Sequence, residues 1–196
     1  MDDFGSPSFW EDKYKKSNYI YEWYMDLNFF FPKIENFVSS ESVILNVGCG
    51  NSSLCQQLLD KGVKKITNID VSQEILDKLQ SSINEKDSVQ FIKMNAKKMQ
   101  FEDDTFDLIF DKGLIDSILC SKNFKKKVYK YLKEIKRVLK PNGYFFILSH
   151  SSPEQRLIYL TDSRLRWEVT TVSIPQKKFN GITRNYFLYI LDPGDN

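Results

Sequence analysis

A mainly parallel α/β sheet with helices on both faces is the fold class this sequence predicts. Apolar β-type runs alternate with amphipathic helical patterns from residue 43 to residue 161, as strands joined by crossover helices do. One run, Val43-Ile44-Leu45-Asn46-Val47, enters Gly48-Cys49-Gly50 directly, a tight strand-to-helix turn. The last two β-rich runs, 167–174 and 184–191, are joined too closely for a crossover helix, so one antiparallel strand is expected at that end.

The chain has 196 residues, enough for one domain with a sizeable core. No repeat or Pro/Gly/Ser linker divides it, so 1–196 is read as a single domain, with 1–40 as its aromatic N-terminal helical segment. A composition 41% hydrophobic and 28% charged is that of a soluble globular protein. A net charge of +2 supplies no global field toward nucleic acid or anionic membrane. No run reaches the roughly 18 apolar residues of a membrane span, and the acidic start Met1-Asp2-Asp3 does not resemble a secretory signal. Cys49, Cys55 and Cys120 are scattered without metal-ligand spacing. Reduced thiols, no metal and a cytoplasmic monomer are the expectations.

The elements follow in chain order. Residues 8–37 carry Phe9, Trp10, Tyr14, Tyr19, Tyr21, Trp23, Tyr24 and Phe29 to Phe31, read as one or two helices interrupted near Pro32. A buried strand at 43–47 precedes a helix near 51–61, which Gly62 caps. A strand at 65–70 precedes a helix near 72–83, with Ser72 as N-cap and Ile75, Leu76, Leu79 and Ile83 at helical spacing. Strands at 88–93 and 106–110 come next. Residues 122–140 form a basic helix with the apolar stripe Val128, Leu132, Ile135 and Leu139. Its lysines fall mostly on the opposite face, as on a solvated helix. Pro141-Asn142-Gly143 ends it before an all-apolar strand at 144–149. A short helix at 153–161 leads to the closing pair.

Asp70 closes the second strand twenty residues past Gly50. Glycines admit a ligand to the backbone, and an acid at the next strand end can grip both hydroxyls of a ribose. A dinucleotide fingerprint needs a third glycine where this chain has Ser53. S-adenosylmethionine has no pyrophosphate and needs only the two glycines and the carboxylate. A plain tight turn at Gly48-Gly50 and an ordinary helix entry at Asp70-Ser72 are the structural alternatives. At the third strand end, Asn95 is either an adenine-edge hydrogen-bonding group or a turn residue. At the fourth, Asp111-Lys112-Gly113 lies where the reactive end of a cofactor would be, and Asp111 is either functional or a structural loop acid. His150, the single histidine, reads as a loop residue more readily than as a base.

These segments resemble the class I S-adenosylmethionine-dependent methyltransferases, and within them the eukaryotic group that methylates lysines of translation elongation factor 1-alpha. The resemblance rests on Phe9-Trp10-Glu11-Asp12-Lys13-Tyr14, Glu22-Trp23-Tyr24, Val47 to Ser52, Ile66 to Ser72, Phe106-Asp107, Asp111 to Asp116 and Arg137 to Gly143. It implies a Rossmann-like sheet of seven strands with the last inserted antiparallel. It implies S-adenosylmethionine as cofactor, with S-adenosylhomocysteine as product. Gly48, Cys49 and Gly50 would lie at its methionine end, Asp70 on the ribose, and Val71, Asn95 and Ala96 at the adenine, with Asn51 also counted among the cofactor-binding residues. Trp23 and Tyr24 would help close the site. Asp111 would open the substrate channel and is the catalytic candidate, drawing in a lysine ammonium by charge while the aromatics add cation–π contact, with the proton then leaving to water or a carboxylate. Two positions depart from the family pattern: Asn46 and Asn95 stand where acids are common.

The implied partner is a protein substrate, translation elongation factor 1-alpha, with neither membrane nor nucleic acid. A small-molecule or RNA methyltransferase, or a non-catalytic partner subunit on the same fold, are the alternatives. The absence of an [N/D]-P-P-[Y/F] run after the fourth strand counts against exocyclic amines of nucleic acid.

Overall fold

In the computed structural model, which describes residues 4–16, 22–84, 88–175 and 185–194, seven strands form one sheet. They are β1 (Val43–Val47), β2 (Lys65–Asp70), β3 (Val89–Lys93), β4 (Phe106–Lys112), β5 (Leu139–Ser149), β6 (Glu168–Pro175) and β7 (Asn185–Asp192), in the order β3-β2-β1-β4-β5-β7-β6. Neighbours from β3 to β5 are parallel, and β7 runs antiparallel to both β5 and β6. The helices are α1 (Pro7–Lys16), α2 (Leu27–Phe30), α3 (Leu54–Asp60), α4 (Gln73–Ser82), α5 (Leu114–Leu119), α6 (Phe124–Val138) and α7 (Pro153–Leu160).

The continuous apolar runs have a geometric cause. Successive side chains of a strand point to opposite faces, so Leu45, Ile109 and Phe145 enter one core while Ile44, Phe110 and Phe146 enter the other. The first core takes the α6 stripe Val128, Tyr131, Leu132, Ile135 and Val138, and the second takes Phe30 of α2 with Leu54 and Leu58 of α3. Each such side chain fully removed from water contributes about 1.5–3 kcal/mol. A sheet buried on both faces therefore needs apolar residues at every strand position.

Four details differ from the sequence expectation. The 8–37 segment holds α1 and only one turn of α2, followed by 3₁₀ turns at Phe31–Lys33 and Glu35–Phe37 around Pro32. Helix α3 begins at Leu54 rather than near 51, because Asn51 to Ser53 remain in the glycine turn. Strand β5 begins at Leu139: its register jumps from the Leu139–Phe106 pair to the Tyr144–Leu108 pair, so Pro141-Asn142-Gly143 form a bulge and do not separate the strand from α6. A Cβ at Gly143 would stand 2.7 Å from the Asp107 carbonyl oxygen, so the bulge admits only glycine there. Helix α5, absent from the expectation, spans six residues, too few to show periodicity. Tyr19, Tyr21, the 176–181 stretch of the expected closing loop and residue 184 of the closing run lie outside the described residues. Among the described residues, no helix is long and apolar enough to cross a membrane, and no group of three His, Cys, Asp or Glu side chains is placed to hold a metal ion.

Candidate active site

A cavity of about 700 Å³ lies along the carboxyl ends of the parallel strands and the start of antiparallel β7. This is where the loops of an open parallel sheet diverge and leave a crevice. Asp70 and Val71 reach it after β2, Asn95 and Ala96 after β3, and Gly48, Cys49 and Gly50 after β1. Lys112, Gly113 and Asp116 enter from the β4–α5 junction, His150 from the end of β5, and Tyr186 from β7. Trp23 and Tyr24 close it from the N-terminal side.

Around β1 and β2 the wall is backbone and one carboxylate. Gly48 and Gly50 have φ of +59° and +52°, values that L side chains rarely adopt. A Cβ on Gly50 would lie 2.8 Å from the Tyr14 hydroxyl, and one on Gly48 would lie 3.0 Å from Leu114. The glycines are thus required by both conformation and space. Asp70 is 6% exposed; its Oδ2 accepts the Gly50 N–H at 3.0 Å and its Oδ1 the Ser72 N–H at 3.0 Å. Burial pushes the carboxyl up, and the N–H bonds from Ser72, Gly50 and Val71 only partly oppose this. Ser72 occupies the expected N-cap position, but its hydroxyl makes no cap bond. Beneath the turn, Asn46 Nδ2 donates to Asn68 Oδ1 at 2.9 Å, and Asn68 Nδ2 donates to Cys55 Sγ. A buried amide pair thus stands where an acid at position 46 would leave an unpaired charge.

Around β4 and β5 the wall is acidic and aromatic. Asp116, 6% exposed, is the acid that faces the cavity. Its Oδ1 accepts from Ser149 Oγ at 2.7 Å and pairs with buried Arg156, while its Oδ2 accepts from the Tyr24 hydroxyl at 2.6 Å and lies 3.2 Å from His150 Nδ1. Burial pushes this carboxyl up, but the His150 bond, the Arg156 charge and the two hydroxyls outweigh burial and hold it below the usual carboxylate range. The same bond raises His150. The rings of Tyr24 and Tyr186 lie 5.2 Å apart, and Tyr24 adopts φ +67°, an uncommon conformation for a bulky residue.

Asp111, expected to open the channel, is turned away from it. It is 1% exposed and is not on the cavity wall. Its carboxylate instead accepts the N–H groups of Leu114 and Ile115 and the Tyr131 hydroxyl, satisfying donors that the first turn of α5 leaves open. Asn51 is also buried off the wall.

Residues 22–26 strap this arrangement together. The Glu22 carboxylate contacts buried Lys112 and accepts from Ser52 Oγ and the Ser53 N–H. Burial pulls the Lys112 ammonium down, and the Glu22 carboxylate is its ion-pair partner. Asp26 caps α2 by accepting the Asn28 N–H and also binds Gln57 of α3.

Residues 45–147, just over half of the chain, match the family model described as a methyltransferase domain. Over 151 residues the chain is 30% identical to the eEF1A lysine and N-terminal methyltransferase of Homo sapiens, covering 75% of this chain and 22% of that protein. The chain thus spans about a fifth of that relative's length. Over 171 residues it is 28% identical to EEF1A lysine methyltransferase 4 of Mus musculus, covering 82% of this chain and 67% of that one. Among solved structures, a SAM-dependent methyltransferase from Aquifex aeolicus shares the fold with a TM-score of 0.62 at 24% identity, covering 95% of this chain and 98% of that chain.

Proposed function

The chain belongs to the methyltransferase domain family; on that premise we propose that it is an S-adenosylmethionine-dependent methyltransferase whose acceptor is a lysine side chain of a protein, eEF1A. The observation that carries the proposal is the division of the cavity. One half offers glycine backbone and Asp70, and the other offers an anionic carboxylate beside aromatic rings. An ammonium suits that second half by charge and by cation–π contact. The human and mouse relatives carry names that specify eEF1A lysine.

The first half fits the cofactor. Each Asp70 oxygen already holds one backbone N–H and retains a lone pair for a hydroxyl, and Gly48 and Gly50 present bare backbone, without side chains, on the cavity wall. In this reading Asp70 holds the ribose hydroxyls, Gly48, Cys49 and Gly50 lie at the methionine end, Val71, Asn95 and Ala96 face the adenine, and Trp23 and Tyr24 cover the site. S-adenosylmethionine, when bound, supplies a methyl group activated by its positively charged sulfur. The protein's own contribution is to orient the acceptor nitrogen, which attacks only after its ammonium proton has passed to water or a carboxylate, and to keep water from the methyl group. Lys112, buried and paired with Glu22, fixes the strap that carries Trp23 and Tyr24.

The test incubates the protein with S-adenosylmethionine carrying a labelled methyl group and purified eEF1A, then maps the label by tandem mass spectrometry. Label on a lysine of eEF1A is the expected result. Label confined to RNA or small molecules in a cell extract, with eEF1A unlabelled, would overturn the assigned acceptor.

A further inference from the structure

We propose that Asp116 is a receiving site for a cationic amine: an ammonium takes the position on Asp116 Oδ2 that the His150 ring occupies, beside the paired rings of Tyr24 and Tyr186. The inference deepens the reading of an amine acceptor and rests on it. The two oxygens of Asp116 face different surroundings. Oδ1 is committed inward to Ser149 and to Arg156, which is 3% exposed. Oδ2 meets Tyr24 Oη at 2.6 Å and His150 Nδ1 at 3.2 Å, both from residues of the cavity wall. Of the four partners, His150 has the longest contact and a side chain 59% exposed, so it is the one an incoming cation displaces most easily. The Tyr24 and Tyr186 rings, 5.2 Å apart with Tyr24 also 5.7 Å from the His150 ring, offer an adjoining π surface.

The arrangement makes amine binding depend on pH. The groups facing His150 are Asp116 of α5, Tyr24 of the strap and Arg156 of α7, and Tyr186 of β7 packs on Tyr24. A lysine ammonium, with an ordinary pKa of about 10.4, keeps its charge throughout the neutral range. Protonated His150 competes with it for the same oxygen, whereas neutral His150 gives way. Amine affinity therefore falls as pH drops through the His150 pKa, which the Asp116 bond lifts above its ordinary 6.5.

Two measurements test this. The first is a proton NMR titration. His150 is the sole histidine of the chain, so its ring resonance is followed directly with S-adenosylhomocysteine bound and with Nα-acetyl-lysine amide as the probe. Saturating probe should lower the His150 pKa, and its uncharged norleucine counterpart should not. The second is steady-state methylation of eEF1A from pH 6 to pH 8. The wild-type KM for eEF1A should rise about tenfold per pH unit below the His150 pKa, and His150→Ala should abolish that rise while S-adenosylhomocysteine affinity stays unchanged. Asp116→Asn should raise KM at every pH. Because it leaves Arg156 unpaired and is prone to misfold, His150→Ala is the deciding variant. An unresponsive His150 together with a KM profile shared by wild type and His150→Ala would overturn the inference while leaving lysine methylation standing. A His150 that responds to the amine with eEF1A unlabelled would uphold the ammonium site and overturn eEF1A as the acceptor.

Discussion

Asp111→Asn separates a structural acid from a catalytic one. The carboxylate is 1% exposed and accepts three hydrogen bonds, from Leu114 N at 2.6 Å, Ile115 N at 2.9 Å and Tyr131 Oη at 2.7 Å. The last two share Oδ2. An amide nitrogen in that place faces two donors; the tyrosine hydroxyl can turn and accept, but the Ile115 N–H cannot. One buried donor left unmade costs about 1–3 kcal/mol. Burial pushes Asp111 up to about 7, with the Tyr131 bond opposing. The folded state thus keeps a proton that the unfolded chain releases near pH 4, and this contribution is lost as pH rises from about 4 to about 7. Asparagine has no such term, so the penalty is larger at pH 6 than at pH 8. Urea unfolding at both pH values measures it, and calorimetry with S-adenosylhomocysteine reads the site at a temperature where the variant is folded. We expect the stability loss with affinity kept within about threefold, since Asp111 is not on the cavity wall. A stability change under about 0.5 kcal/mol combined with lost methyl transfer would refute the structural role.

Other perturbations follow from the same contacts. Gly50→Ala must hold φ near +52°, at about 1–2 kcal/mol of stability, and place its Cβ 2.8 Å from the Tyr14 hydroxyl; because that contact displaces two groups of the cavity wall, S-adenosylhomocysteine affinity should fall about tenfold by calorimetry. Gly62→Ala, also at positive φ but with open space around it, should cost a similar amount of stability and leave that affinity unchanged. Glu22→Gln removes the carboxylate that pairs with buried Lys112 and binds Ser52 and Ser53. Limited proteolysis should then cut near the strap faster than in the wild type, and an unchanged rate would show that Glu22 does not anchor it.

The sheet was legible because burial on both faces leaves an unbroken apolar run at each strand, and β1 and β2 begin and end where such runs do. Asp70 was legible for a related reason: a strand that ends in an acid at the carboxyl edge of a parallel sheet can only present it there. The stretch Asp111 to Asp116 was harder, since one acid precedes a helix and the other falls inside its first turn. Side-chain direction decides which of them caps α5 and which faces the cavity, and direction depends on Tyr131, twenty residues away in α6. The Asp116 network is likewise non-local, with partners 33 and 40 residues distant in Ser149 and Arg156. The spacing Gly113-Leu114-Ile115-Asp116 held the available signal, a glycine at the helix start with an acid three residues on. The pairing of the Asn46 amide with Asn68 is visible only once β1 and β2 lie side by side.

Calorimetric titration of Asp70→Asn with S-adenosylhomocysteine shows whether the half of the cavity around Asp70 holds the cofactor. The loss of a hydrogen bond to a charged group, about 1.5–3 kcal/mol, predicts affinity weaker by roughly ten- to a hundredfold, with thermal unfolding showing the variant folded. Affinity equal to that of the wild type in a folded Asp70→Asn protein would contradict the account.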